Sequence, residues 1–164
     1  MTSIHAEDLK DVEYARAGKV SLRFDAHIPN GPGPFAAVIL VHGGAWVMGD
    51  KTNNVQPLIQ PLTDAGFAWF SISYRLAADV ARNPIGAAMQ LGTAESDVRK
   101  AVAFVKDHAS EYRVNPNRIA LLGESAGDNW RQWPHCGRAR THRCGRWSRF
   151  IRPAIWRRWP ALRP

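Results

Sequence analysis

Gly123-Glu124-Ser125-Ala126-Gly127 follows the apolar run Ile119-Ala120-Leu121-Leu122, and this junction decides how the rest of the chain is read. The run has the length and composition of a buried strand. A serine on a sharp turn after such a strand is a nucleophile candidate. Gly123 and Gly127 then have a steric reason, because a strained strand-to-helix turn leaves no room for Cβ atoms where the backbone doubles back. By average glycine and serine usage, a bare Gly-x-Ser-x-Gly arises by chance in on the order of 5% of chains this long. The surrounding sequence must therefore carry the reading.

Upstream, Val38-Ile39-Leu40-Val41 runs into His42-Gly43-Gly44-Ala45-Trp46, a second buried strand ending in a glycine-rich loop. Acyl transfer needs such a loop. When a serine attacks an ester carbonyl the oxygen becomes an anion, and backbone N–H groups aimed at it stabilise it by about 3 to 4 kcal/mol each. Gly43 and Gly44 let two such groups come close, and Ala126, the residue after the serine, supplies a third. Together the two motifs, each at the end of a strand, resemble the α/β-hydrolase fold, in particular its carboxylesterase and hormone-sensitive-lipase-like branch. The likeness spans roughly residues 12 to 127. It implies an α/β architecture, a mostly parallel sheet flanked by helices, with Ser125 as the nucleophile and His42 orienting the oxyanion loop. It also implies a small-molecule ester as substrate and no metal or cofactor.

The chain of 164 residues is 45% hydrophobic, enough for one domain with a real core. Its formal net charge of +8 suggests a polyanion partner until its distribution is seen. Residues 1 to 127 hold 12 Lys and Arg against 13 Asp and Glu, whereas residues 128 to 164 hold 10 Arg against Asp128 alone. The basicity belongs to the tail, so it is no evidence of a specific nucleic-acid partner. The first residues have no basic segment leading into an apolar core, and no apolar run approaches about 18 residues. The expected location is cytoplasmic, with no membrane span.

Before the glycine loop, Val12-Glu13-Tyr14 and Val20 to Phe24 flank Ala17-Gly18 and alternate apolar with polar, predicting an edge hairpin. Phe35 to Val41 has too few polar positions for a half-exposed strand and reads as central and parallel. Pro57 to Leu62 predicts a short helix ended by Ala65-Gly66, and Phe67 to Tyr74 the next strand. Tyr74-Arg75-Leu76 resembles the tripeptide that closes the corresponding strand in the family. Asn83-Pro84 and Gly86 predict a loop over Ala77 to Thr93, of unassigned role. From Asp97, the spacing of Val98, Ala101, Val102, Val105, Ala109 and Tyr112 predicts a helix with one apolar stripe. Asn115-Pro116-Asn117 breaks it and leads into the strand at Arg118 to Leu122. Asp97 itself reads as a helix-start residue favourable to the helix dipole. As a triad acid it stands on the wrong side of the nucleophile in sequence.

After Gly127 the family pattern calls for another glycine and a helix of small apolar residues. Asp128-Asn129-Trp130-Arg131-Gln132-Trp133-Pro134 stands there instead. The last 37 residues hold five of the seven tryptophans, ten arginines and no lysine, with neither helical nor strand period. Such composition is typical of GC-rich DNA read out of frame. Asp128 to Trp133 can be encoded GAC AAC TGG CGG CAA TGG; restoring one G in front gives Gly-Gln-Leu-Ala-Ala-Met, the missing pattern. The hypothesis is a one-base deletion after Gly127, and a source nucleotide sequence with no family-like downstream frame would refute it. The expected organisation is an N-terminal part of a hydrolase domain in residues 1–127 and an Arg/Trp-rich tail in residues 128–164, disordered or out of frame. The family triad acid and base are then missing, and the expectation is a truncated esterase with little or no turnover.

Other readings of the same residues are weaker. His135 and His142 follow Ser125 but sit in sequence without family character, and His135, Cys136, His142 and Cys144 match no standard zinc spacing. Trp156-Arg157-Arg158-Trp159 mixes cations and aromatics as single-strand binders and interfacial peptides do. A non-catalytic interaction protein and a basic-tail binder are accordingly the alternatives to an esterase.

Overall fold

The computed structural model describes residues 5–53, 55–80 and 84–123, with side chains in the last stretch from residue 92 onward. In chain order the elements are β1 (Glu7–Ala17), β2 (Val20–Ile28), β3 (Phe35–Val41), α1 (Gln56–Asp64), β4 (Ala68–Ile72), α2 (Ala77–Val80), α3 (Pro84–Asp107) and β5 (Val114–Gly123). Among the described residues the strands form one sheet in the order β1-β2-β4-β3-β5. β1 and β2 are the expected edge hairpin, β2 runs antiparallel to β4, and β3 is parallel to both β4 and β5. The sheet is thus mixed, with its parallel half around β3.

β3 is central for the reason its sequence gives. Every residue from Ala37 to Val41 is buried, and alternate side chains enter different cores. Ala37, Ile39 and Val41 face a core completed by Val98, Ala101 and Val105 of α3, while Val38 and Leu40 face one completed by Val55 and by Leu62 of α1. The two helices therefore cover opposite faces of the sheet, and the carboxyl ends of the parallel strands are left for a site, as in open α/β sheets generally. Phe24 anchors the larger core, its ring 5.5 Å from that of Phe70 and 6.1 Å from that of Tyr112, both edge-on. Edge-to-face contacts of this kind add about 0.5 to 1.5 kcal/mol beyond area burial.

Three expectations need correction. The segment Ala77 to Thr93 is not a loop: α2 occupies Ala77–Val80 and α3 begins at Pro84. Pro84 read as a breaker, but a proline fits the first helical position, where its missing N–H has no intrahelical partner to lose. Asp97 is consequently not at a helix start. It lies in mid-helix on the buried stripe with Ala94, Val98, Ala101 and Val105. Finally, α3 ends at Asp107, and Ala109 and Tyr112, though buried, belong to the turns that follow.

The Asn115-Pro116-Asn117 signal survives as an irregularity within β5. Phe35 pairs with Val114, but Ala37 pairs with Ile119, so the intervening residues leave the ladder. Asn115 Oδ1 accepts the Asn117 amide at 2.9 Å, closing an Asx turn there.

Candidate functional site

The two motifs that decided the sequence reading leave neighbouring parallel strands at the same level. Val41, the last residue of β3, is in register with Gly123, the last of β5, and with Ile72 of β4 on the other side. The strand end that leads into His42-Gly43-Gly44 therefore lies one strand spacing, about 4.8 Å, from Gly123. Gly123 is the last residue of β5. Ser125, Ala126 and Gly127 lie outside the described residues, as do His135, Cys136, His142, Cys144 and the rest of the tail.

The glycine loop is a tight turn. Val47 and Met48 both donate to Gly44 O, at 3.0 and 3.1 Å. Gly44 has φ +116, and a Cβ there would lie 2.0 Å from Met48 O, so no side chain can replace its hydrogen without moving the loop. Ala45 and Trp46 also take positive φ, at 51 and 62 degrees, unusual for residues with a Cβ. Among the described residues, the Gly43 and Gly44 amides donate to no main-chain carbonyl outside the strand ladders. Val47 and Met48, at the loop tip, are exposed apolar residues.

His42 is buried and bound within this loop. Its Nδ1 lies 2.6 Å from Gly43 O, which can only accept, so Nδ1 carries the proton and Nε2 is the bare nitrogen. Among the described residues Nε2 has no partner. Burial pushes the imidazole below its ordinary value, outweighing the Gly43 carbonyl and the Asp50 charge, which act the other way. The ring stacks on that of Tyr74, with centroids 4.4 Å apart and planes 12° from parallel. Tyr74 Oη donates to His42 O at 3.1 Å. Burial also pushes the Tyr74 hydroxyl up to about 12, so it stays a donor throughout the physiological range.

Two further tethers hold the loop to β4 and the segment that follows it. Ala77 N donates to Trp46 O at 2.9 Å. On the far side, Ser71 Oγ donates to Lys51 O at 2.6 Å, and the Lys51 amide donates to Ser73 Oγ at 3.2 Å. The Lys51 ammonium is itself largely buried, 2.9 Å from Oδ1 of the buried Asp25 and 3.0 Å from Oδ1 of the exposed Asp11. Burial would raise the Asp25 carboxyl, but the Asp11 amide, Lys51 and Lys10 outweigh it and hold it below the usual carboxylate range. Asp50 Oδ1 accepts both the amide and hydroxyl of Thr52 at 2.6 Å, and these bonds keep its carboxyl low.

Sequence reasoning missed the residues that hold β4's exit in place. Arg75 grips the fully buried Asp97 with Nε to Oδ2 and Nη2 to Oδ1, each 2.7 Å, and its amide adds a third bond at 3.2 Å. Lys100 Nζ approaches Oδ1 at 3.2 Å. The available signal was an aspartate on an otherwise apolar helical stripe, since an ionised carboxylate enters a core only with a partner.

With this geometry in place, a mixed sheet whose parallel half carries a glycine loop at the end of β3, level with Gly123 at the end of β5, fits the α/β-hydrolase class. Comparison with known proteins makes the assignment specific: residues 24–130 match the BD-FAE family, a stretch that includes both motifs, and the chain belongs to that family of α/β-hydrolase esterases. It is 34% identical over 125 residues to the probable carboxylic ester hydrolase LipM of Mycobacterium tuberculosis, covering 75% of this chain and 26% of LipM. To LipN of the same organism it is 32% identical over 114 residues, covering 69% of this chain and 27% of LipN. The fold is also that of the thermophilic esterase Est2 of Thermogutta terrifontis, with TM-score 0.62 and 21% identity over 73% of this chain and 41% of Est2. The chain thus spans about a quarter of the length of the curated relatives it matches. Among the described residues no helix is long and apolar enough to cross a membrane.

Proposed function

We propose that the site cleaves carboxylic esters of small acids by covalent catalysis, with Ser125 as the nucleophile and the amides of Gly43, Gly44 and Ala126 holding the oxyanion. The observation that carries this reading is the register of Val41 with Gly123, which starts both motifs side by side at the carboxyl end of the sheet. The serine oxygen attacks the ester carbonyl as its proton passes to water, the carbonyl oxygen becomes the oxyanion, and collapse expels the alkoxide, which takes up a proton from water, to leave an acyl-serine that water hydrolyses. His42 is read as orienting the loop rather than as the base, because its bare Nε2 belongs to a buried ring stacked on Tyr74, where burial disfavours taking up a proton.

Turnover by this chain is slow on the same reading. A serine is a weak nucleophile unless a histidine held by a carboxylate takes its proton, and residues 128–164 supply no such pair with family character. Oxyanion stabilisation and binding alone retain about 10³ to 10⁴ over water when triad members are removed. An activated ester whose leaving group departs unprotonated suits this residual catalysis. The test is p-nitrophenyl acetate hydrolysis by the chain and its Ser125→Ala variant, both checked for folding by circular dichroism. A slow reaction lost in the variant supports the reading; equal rates from two folded proteins reject it.

A further inference from the structure

The hydrogen bonds around His42 bear on more than the shape of the loop. The peptides joining His42 to Gly43 and Gly43 to Gly44 are trans, and a planar trans peptide holds its C=O and N–H antiparallel. Whatever grips the carbonyl therefore aims the amide on the opposite side. The carbonyl of His42 shares its plane with the Gly43 N–H, and Tyr74 Oη binds that carbonyl at 3.1 Å.

We propose that Tyr74 is a positioning residue for the oxyanion site: through the His42 carbonyl its hydroxyl fixes the direction of the Gly43 N–H and strengthens it as a donor. This rests on the reading of Gly43 as an oxyanion donor and names what holds that donor in place. The strengthening follows from polarisation, because a carbonyl that accepts a hydrogen bond makes the N–H of its own peptide a better donor by roughly 10 to 30%. Tyr74 suits the task. Its ring lies flat on His42 at 4.4 Å, so the hydroxyl cannot swing away without breaking the stack. It is 4% exposed, so water does not compete freely for the bond. The next residue, Arg75, is fixed through amide and guanidinium to Asp97, and Ala77 N holds Trp46 O on the other side of the loop. The main chain that carries Tyr74 is thus anchored to α3 before it reaches over the loop. His42 does the equivalent for the next plane, where its Nδ1–H binds the carbonyl opposite the Gly44 N–H.

Tyr74→Phe tests the proposal in the full chain, because it keeps the ring and the stack and removes the hydroxyl alone. The first readout needs no activity. In ¹³C,¹⁵N-labelled protein the His42 carbonyl carbon and the Gly43 amide proton should both move upfield in the variant, while the core resonances of Phe24, Phe70 and Val98 stay in place. Resonances of His42 and Gly43 that do not move would overturn the proposal, as would a disturbance spread evenly over the core, which marks a merely structural role. The second readout is the rate at which p-nitrophenyl acetate acetylates Ser125. Removing an oxyanion donor outright costs about 10²- to 10³-fold; loosening one should slow acetylation by on the order of tenfold. Unchanged acetylation in the variant overturns the positioning role. A wild-type chain in which Ser125 is never acetylated refutes the proposed function instead, and the resonance shifts then decide the Tyr74 link by themselves.

Discussion

Arg75→Met is the substitution whose cost the structure sets most clearly. It keeps an aliphatic stem against the loop and removes the guanidinium, leaving the fully buried Asp97 carboxylate with the residue-75 amide and the Lys100 ammonium, each at 3.2 Å. Breaking a buried pair from one side costs about 3 to 5 kcal/mol, because the other charge stays behind desolvated. Lys100 is 39% exposed, so water screens its help, and it brings the expected loss to the lower end, about 3 kcal/mol. With a urea m-value of about 2 kcal/mol/M, the unfolding midpoint falls by roughly 1.5 M. The assay is urea unfolding followed by circular dichroism. A second variant separates lost charge pairing from lost packing: adding Asp97→Leu removes the stranded carboxylate and should restore most of the stability, since apolar replacement of a buried pair is often neutral or better. A midpoint unchanged by Arg75→Met, or a double variant as unstable as the two single losses combined, would refute the reasoning.

The remaining predictions concern the loop itself. Gly44→Ala places a Cβ on Met48 O at φ +116, and the rearranged loop should cost about 1 to 3 kcal/mol and abolish Ser125 acetylation; an acetylation rate within twofold of the parent would contradict the loop geometry. His42 titrates below its unfolded value, so the folded state binds the proton less well than the unfolded one. Its contribution is complete above about pH 6.5 and is lost as pH falls from there towards the lowered folded value. Denaturation curves between pH 7.5 and 5 should show stability falling with acid, and His42→Phe should flatten that part of the profile. The depressed carboxylates Asp25 and Asp50 act lower, near and below pH 4, and leave the two windows separable. Lys51→Met strands the buried Asp25 beside Asp11 and should cost about 2 kcal/mol in the same denaturation assay; a loss under about 0.5 kcal/mol would show that Lys10 alone suffices.

Much of this architecture was legible because its signals are local. The run Phe35 to Val41 has no polar residue, and a strand without a polar face must be covered twice, which is how β3 sits between the cores of α1 and α3. The hairpin at Ala17-Gly18 and the helix over Pro57 to Leu62 were equally local. The stretch from Ala77 to Thr93 was misread because Asn83-Pro84 and Gly86 read as loop punctuation, whereas Pro84 opens α3; a proline near a helix start and a proline after a turn look alike in one dimension. Asp97 was misplaced as a result of the same error. Pairing it with Arg75 needed the fold, since 22 positions in the chain separate the two partners. In the site, the glycine loop and Gly123 stood in the sequence by composition, and their register required the sheet. Tyr74 was visible only as part of a strand-closing tripeptide, because a hydroxyl that meets a carbonyl 32 positions away leaves no periodic trace.

The account turns on Ser125 reacting beside the Gly43 and Gly44 amides, and peptide-resolved mass spectrometry of the chain after exposure to p-nitrophenyl acetate tests it most directly. The account predicts an acetyl group on the peptide containing Ser125, absent from Ser125→Ala and from protein unfolded in urea before exposure. Acetylation confined to lysines and unaffected by unfolding, with Ser125 unmodified in a folded chain, would contradict it.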